Sequence, residues 1–186
     1  MRLRTFRLGL AAALAVALVV APTANAWVRK ESSRWVWYVP SSRWVDAQSD
    51  NGIDISSPTG VLYVGHGFAP TPGPVTHESV VGYLVRSGGL DVHPLRRVRF
   101  IRRGRPVARE GIVRRVYQWR GYRKDRRERV RGVLTVDVMG NDASATYGYS
   151  AYSRVAPVWL FRRWDGRLRF IQRHIFLKPR TPDWGF

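Results

Sequence analysis

Residues 107–139 read VAREGIVRRVYQWRGYRKDRRERVRGVLTVDVM. From Val130 to Met139 the apolar side chains of Leu134, Val136 and Val138 alternate with Thr135 and Asp137. That period of two is the mark of a strand with one face buried. Residues 107–120 alternate in the same manner and read as the returning strand or strands. The most polar tract, 121–129 (GYRKDRRER), reads as their hairpin connection. An antiparallel pair needs only such a short link, whereas a parallel pair would need a long crossover. On this alternation Asp137 falls on the solvent side, and so does Asp54 between Ile53 and Ile55.

The same punctuation extends outward. Residues 34–48 (RWVWYVPSSRWVDAQ) are extended, broken at Pro40-Ser41-Ser42. Asn51-Gly52 is a turn, Ile53 to Ile55 a short strand, Ser57 to Gly60 a second turn, and Val61 to Phe68 another strand. Spacing of this kind gives an antiparallel meander. After the Pro-rich loop 69–75, Thr76 is placed to cap a helix over 76–87, with Glu78 near its positive end and Val80, Tyr83 and Leu84 as its apolar stripe. Gly88-Gly89 supplies the left-handed stop. Leu95 to Arg103 is a strand with Val98 and Phe100 inward and arginines outward, and 143–153 is another. Residues 157–176 carry two conflicting signals. Asp165-Gly166 is a hairpin dipeptide, but Phe161, Trp164, Leu168, Ile171 and Ile175 form one helical stripe behind Pro157. The five-residue stripe outweighs the roughly 1 kcal/mol cost of a mid-helix glycine, so a helix is favoured over a hairpin. The fold class is α+β, an antiparallel β-sheet covered by helices.

The N-terminus has the form of a cleaved signal peptide. Arg2, Arg4 and Arg7 precede an uncharged run from Leu8 to Val20, and Ala24-Asn25-Ala26 is a small-x-small cleavage site. Residues 27–186 then form one secreted α+β domain of 160 residues with no segment apolar enough to span a membrane. The chain has no cysteine, so its stability must come from packing, and eight tryptophans suit that.

Charge narrows the partners. Removing three leader arginines leaves 29 basic residues against 13 acidic ones, a formal +16. Such a field attracts an anionic polymer, an anionic membrane surface or an acidic protein at the envelope. All but Lys30, Lys124 and Lys178 of the basic residues are arginine, a skew that genome composition also produces. The densest cluster comprises Arg114, Arg115, Arg120, Arg123, Lys124, Arg126, Arg127, Arg129 and Arg131, with Tyr117, Trp119 and Tyr122 interleaved. Guanidinium forks hold phosphate or carboxylate, and aromatic faces stack on bases or sugars. If Arg96 to Arg105 pairs beside this tract, the two make one cationic sheet face. Binding there would be salt-sensitive, with little sequence preference toward nucleic acid.

Catalytic and metal motifs are missing. His66, His77, His93 and His174 show no metal-ligand spacing, no HExxH is present, and no cofactor motif occurs. Gly148-Tyr149-Ser150-Ala151-Tyr152 lacks the second glycine of a nucleophile elbow.

The order of pieces resembles a known family. A tryptophan-bearing strand ends in Trp44-Val45, and the stretch Asn51 to Gly60 (NGIDISSPTG) follows. A strand, a Pro-rich loop, a helix from Thr76, further strands and a closing Pro157-x-Trp159 helix complete the set. Over residues 34–177 this resembles the Mog1/PsbP-like α/β/α sandwich in its secreted actinobacterial form. The resemblance implies a fold, and a membership of mostly non-catalytic binding or assembly factors. It carries over no functional residue.

The expectation is therefore a secreted, non-catalytic protein that binds an anionic envelope or extracellular partner through an Arg/aromatic face. One alternative is a secreted hydrolase of wall or extracellular material, which would need a histidine within reach of an acid or serine. Another is a docking module with an aromatic surface of Trp27, Trp35, Trp37 and Trp184.

Overall fold

The computed structural model describes residues 27–141 and 146–178. The leader, the start of the strand expected from residue 143, and the tail with Trp184 lie outside the described residues. In chain order the elements are β1 (Val28–Glu31), β2 (Trp35–Val39), β3 (Val45–Ser49), β4 (Gly52–Ser56), β5 (Tyr63–Thr71), α1 (His77–Ser87), β6 (Leu95–Arg103), β7 (Val107–Arg109), β8 (Ile112–Arg123), β9 (Glu128–Asn141), β10 (Thr146–Pro157), α2 (Val158–Arg173) and β11 (Phe176–Leu177). The main sheet runs β3-β4-β5-β10-β9-β8-β6, with β7 paired to β8, and a small sheet runs β1-β2-β11. Every pairing is antiparallel.

The central part of the main sheet is covered on both faces, while the β6–β8–β9 edge of one face is open. On one, α1 covers a core that includes Tyr63, Val80, Leu90, Tyr117, Trp119, Leu134 and Val136. On the other, α2 and the small sheet cover Trp35, Trp37, Ile53, Val64, Val133, Phe161, Leu168 and Ile171. The period of two in β9 thus separates two cores rather than a core from water. Asp137, expected at the solvent, is 4% exposed. It is tolerated because Arg114 reaches it with a two-pronged bond, Nε to Oδ1 and Nη2 to Oδ2, both 2.7 Å. Asp54 is exposed as expected and accepts the Tyr63 hydroxyl at 2.5 Å.

Local chemistry sets both helices. Thr76 and Ser79 form a reciprocal capping box at the start of α1, with side-chain oxygens accepting backbone N–H groups at 3.1 Å. Gly88 closes it at φ 80°. The inward stripe is Val80 and Val81, with Leu84 partly buried; Tyr83, expected inward, is 52% exposed. In α2 the apolar stripe defeats the Asp165-Gly166 hairpin signal. Phe161, Leu168 and Ile171 are buried, Gly166 is exposed where it opens no void, and the Asp165 carboxylate bonds Arg154 and Arg169 instead of a turn. Of the tryptophans named for the docking alternative, Trp35 is 0% and Trp37 2% exposed, both in the core, and the partly buried Trp27 stacks on Phe170 at 4.1 Å.

One close approach fixes the α1 face. Gly132 lies opposite Trp119, and a Cβ there would overlap the indole ring. Gly132→Ala is expected to destabilise the fold by about 1–3 kcal/mol through overpacking, read as a lower urea midpoint by tryptophan emission.

Candidate anion-binding face

Strands β8 and β9 form the long hairpin expected, with Arg123 opposite Glu128 and residues 124–127 as its turn. Alternation then divides the basic cluster. Tyr117, Trp119 and Arg123 point into the α1 core and are buried, so none of them presents a surface to a ligand. This corrects their place in the predicted binding set. Arg115 lies on that same face and is committed to Glu78 at 2.6 Å and the Gly104 carbonyl at 3.0 Å.

Arg123 is the sharpest reversal. It is 0% exposed and donates from Nε and Nη2 to Asp91 (2.6 and 3.1 Å), and from Nη1 to Glu128 and the Val61 carbonyl (both 2.8 Å). Burial still pushes the Asp91 carboxyl above its ordinary value, against the hydrogen bond and charge of Arg123. No sequence signal pairs 123 with 91, because the two are 32 residues apart.

The other face of the hairpin carries the unpaired charge. β6 pairs with β8 and doubles the cluster, as expected for a shared cationic face. Two rows cross three strands there: Arg96–Tyr122–Arg129 and Arg99–Arg120–Arg131. Arg102 stands opposite Gln118 in the next row. Neighbours in a row are about 5 Å apart at Cβ, and rows repeat about every 7 Å along the strands. The Arg96 guanidinium lies over the Tyr122 ring at 4.5 Å, and Arg131 bonds Gln118 at 2.8 Å while covering Phe161 at 5.1 Å. Among the described residues no carboxylate pairs with Arg96, Arg99, Arg102, Arg120 or Arg129. Lys124 and Arg127 are exposed in the turn, and Arg126 bonds the Thr59 carbonyl at 2.5 Å.

The histidines are held by other work. His93 does reach an acid, with Nδ1 2.6 Å from Asp125, but its Nε2 meets the Gly60 carbonyl at 2.8 Å. Both ring nitrogens therefore fasten the β8–β9 turn to the loop before β5. His77 meets the Val113 carbonyl and His174 the Phe170 carbonyl, each at 2.8 Å. Ser150 lies opposite Asp137 and beside His66 on one sheet face, yet no hydrogen bond joins the three. Asp137 is taken by Arg114, and His66 is stacked on Tyr152 at 4.1 Å with its Nδ1 buried and unbonded. Among the described residues no group of three His, Asp or Glu side chains is arranged to hold a metal ion.

No family model matches the chain, and no curated protein matches its sequence. Among solved structures it is similar to cyanobacterial PsbP (CyanoP) from Synechocystis sp. PCC 6803, with 11% identity and a TM-score of 0.49 over 86% of this chain and 96% of that one. It is also similar to LpqN, involved in cell envelope biogenesis of Mycobacterium tuberculosis, with 12% identity and a TM-score of 0.43 over 84% and 88%. The Saccharomyces cerevisiae Ran-binding protein Mog1p gives 9%, 0.41, 82% and 96%. The Mog1/PsbP-like sandwich resembled in sequence takes its name from two of these proteins. The likeness concerns the fold alone and gives no residue a role.

Two outcomes check these placements. Arg123→Met strands Asp91 without its partner, and about 3–5 kcal/mol of unfolding free energy should be lost in urea titration; adding Asp91→Leu should restore most of it. Burial lowers the His66 pKa from 6.5 to about 4, against a smaller upward pull from Asp137. The neutral ring is the form that the fold favours. Its contribution, at most about 3 kcal/mol, is complete above pH 6.5 and fades as the pH falls toward 4. His66→Phe should flatten the melting temperature between pH 7.5 and pH 4.5; an unchanged acid slope would refute this.

Proposed function

We propose that the protein is a secreted, non-catalytic binding module whose arginine rows on β6, β8 and β9 hold an anionic polymer of the envelope or extracellular space. The observation that carries this reading is the row Arg99–Arg120–Arg131, three like charges directly opposite one another with no acid between them. Like charges so placed repel, and the repulsion is relieved when an anion settles over the row. Guanidinia spread over three strands suit a chain of repeating anionic groups better than a single compact ligand. Tyr122 adds an aromatic floor beneath Arg96.

Export rests on the leader-like sequence of residues 1–26. The absence of catalysis is part of the proposal and rests on the histidine partners described above.

The test is retention on heparin and on immobilised polyphosphate. The protein should bind at low salt and elute as salt rises. The variant R96S/R99S/R120S/R129S should elute much earlier with its melting temperature preserved, since none of these side chains is buried. Flow-through of the unaltered protein at low salt would end the reading, and so would unchanged retention of the variant.

A further inference from the structure

A cleft of about 380 Å³ opens on the same sheet face, between the C-terminal half of α2 and strands β8, β9 and β10. It is separate from the rows above. Four arginines border it: Arg114 from β8, Arg154 from β10, and Arg169 and Arg173 from α2. Tyr152 adds a hydroxyl and Gln172 an amide.

The charges do not balance. Arg114 is matched by Asp137, and Asp165 is shared between Arg154 (2.7 Å) and Arg169 (2.8 Å). Arg173 has no partner among the described residues, so four cations face two carboxylates. Arg154 is the anchor. Its side chain is 9% exposed, its Nε bonds Asp165, and its Nη1 bonds the Gln172 amide oxygen at 2.8 Å. Its remaining nitrogen, Nη2, has no acceptor among the described residues, and Arg154 lines the cleft. Burial lowers the Arg154 pKa; Asp165 opposes the shift, and Arg169 and Arg173 add to it. The negative end of the α2 dipole works against an anion here, but with at most about half a charge against an excess of two.

The geometry points to a discrete site for a phosphate monoester, its terminal oxygens taken by Arg154 and Arg173 with Arg114 at the sheet side. Net excess charge of two matches a dianion better than a carboxylate. Three oxygens also suit donors converging from two strands and a helix. Tyr152 and Ile175, which also line the cleft, leave room beside the arginines for the organic part of the ester.

Calorimetric titration of the purified protein with phenyl phosphate tests this. Saturable one-to-one binding is expected, weakened tenfold or more in Arg173→Gln, an exposed position whose loss leaves the core untouched. Benzoate should bind far less well than the phosphate. The variant R96S/R99S/R120S/R129S separates the two sites: it should bind phenyl phosphate normally while losing heparin. A failure of heparin binding with phenyl phosphate retained would overturn only the polymer reading. No saturation into the millimolar range, full affinity in Arg173→Gln, or loss of phenyl phosphate in the row variant would each overturn the cleft site. Vesicles of phosphatidylcholine containing phosphatidic acid tell the source of the phosphate. Competition between vesicles and phenyl phosphate identifies a lipid headgroup, and binding of the soluble ester alone identifies a free ligand.

Discussion

The guanidinium of Arg123 lies wholly inside the protein, and the placement of the long hairpin depends on it. Its bonds to Asp91, Glu128 and the Val61 carbonyl tie the end of β8 to the segment after α1, to the start of β9 and to the approach to β5. A buried charge is expensive to desolvate, so it persists only where its geometry is satisfied from several sides. Around it, His93 links Asp125 to Gly60, and Arg126 reaches Thr59. The turn 124–127 is thereby fixed in place. Because a strand reverses its faces with each residue of slip, that fixation decides which arginines of β8 and β9 look outward. The arginine face is in this sense a consequence of one internal ion-pair knot.

A formal charge of +19 would be hard to hold if all cations were alike, and they are not. One group is paired with acids: Arg123 with Asp91, Arg115 with Glu78, Arg114 with the buried Asp137, Arg154 with Asp165. A second group on β6, β8 and β9 has no acid beside it. Part of that group has another use, since β6 ends the main sheet and charges on an edge strand discourage pairing with other chains. Edge protection accounts for Arg96, Arg99 and Arg102. It does not account for Arg120 and Arg129, which sit on interior strands and continue the same rows.

Local signals carried much of the fold. The capping residue Thr76, the glycine stop at 88, the polar turn before Glu128 and the stripe of α2 each act within a few residues, so they are visible in the chain itself. Which face of a strand meets a helix is not visible in this manner. Both faces of β9 are covered, so Asp137 alternates with apolar residues and still lies inside. The same limit hides the fate of the basic cluster. Arginines 114, 120 and 123 look equivalent in sequence, and only partners 23 to 32 residues away separate the exposed ion pair of Arg114 and the buried one of Arg123 from the unpaired Arg120. Tyr117 and Trp119 mislead for the same reason. Aromatics interleaved with arginine describe a stacking platform or a core strand equally well until the covering helix is placed.

The rows and the cleft share a sheet face but differ in solvation, and this sets how each responds to salt. The five unpaired arginines of the rows stand in water, where attraction is screened within about 8 Å at physiological ionic strength. Binding a polyanion there is driven by release of its counterions, so the logarithm of affinity should fall with the logarithm of salt with a slope of about −4 for five contacts. Arg154 is largely withdrawn from water, and its attraction for an anion is less screened. A single dianion also brings no condensed ion atmosphere to release. Arg114, Arg169 and Arg173 are exposed and are screened as the rows are, so of the cleft's arginines it is the contribution of Arg154 that salt should weaken least.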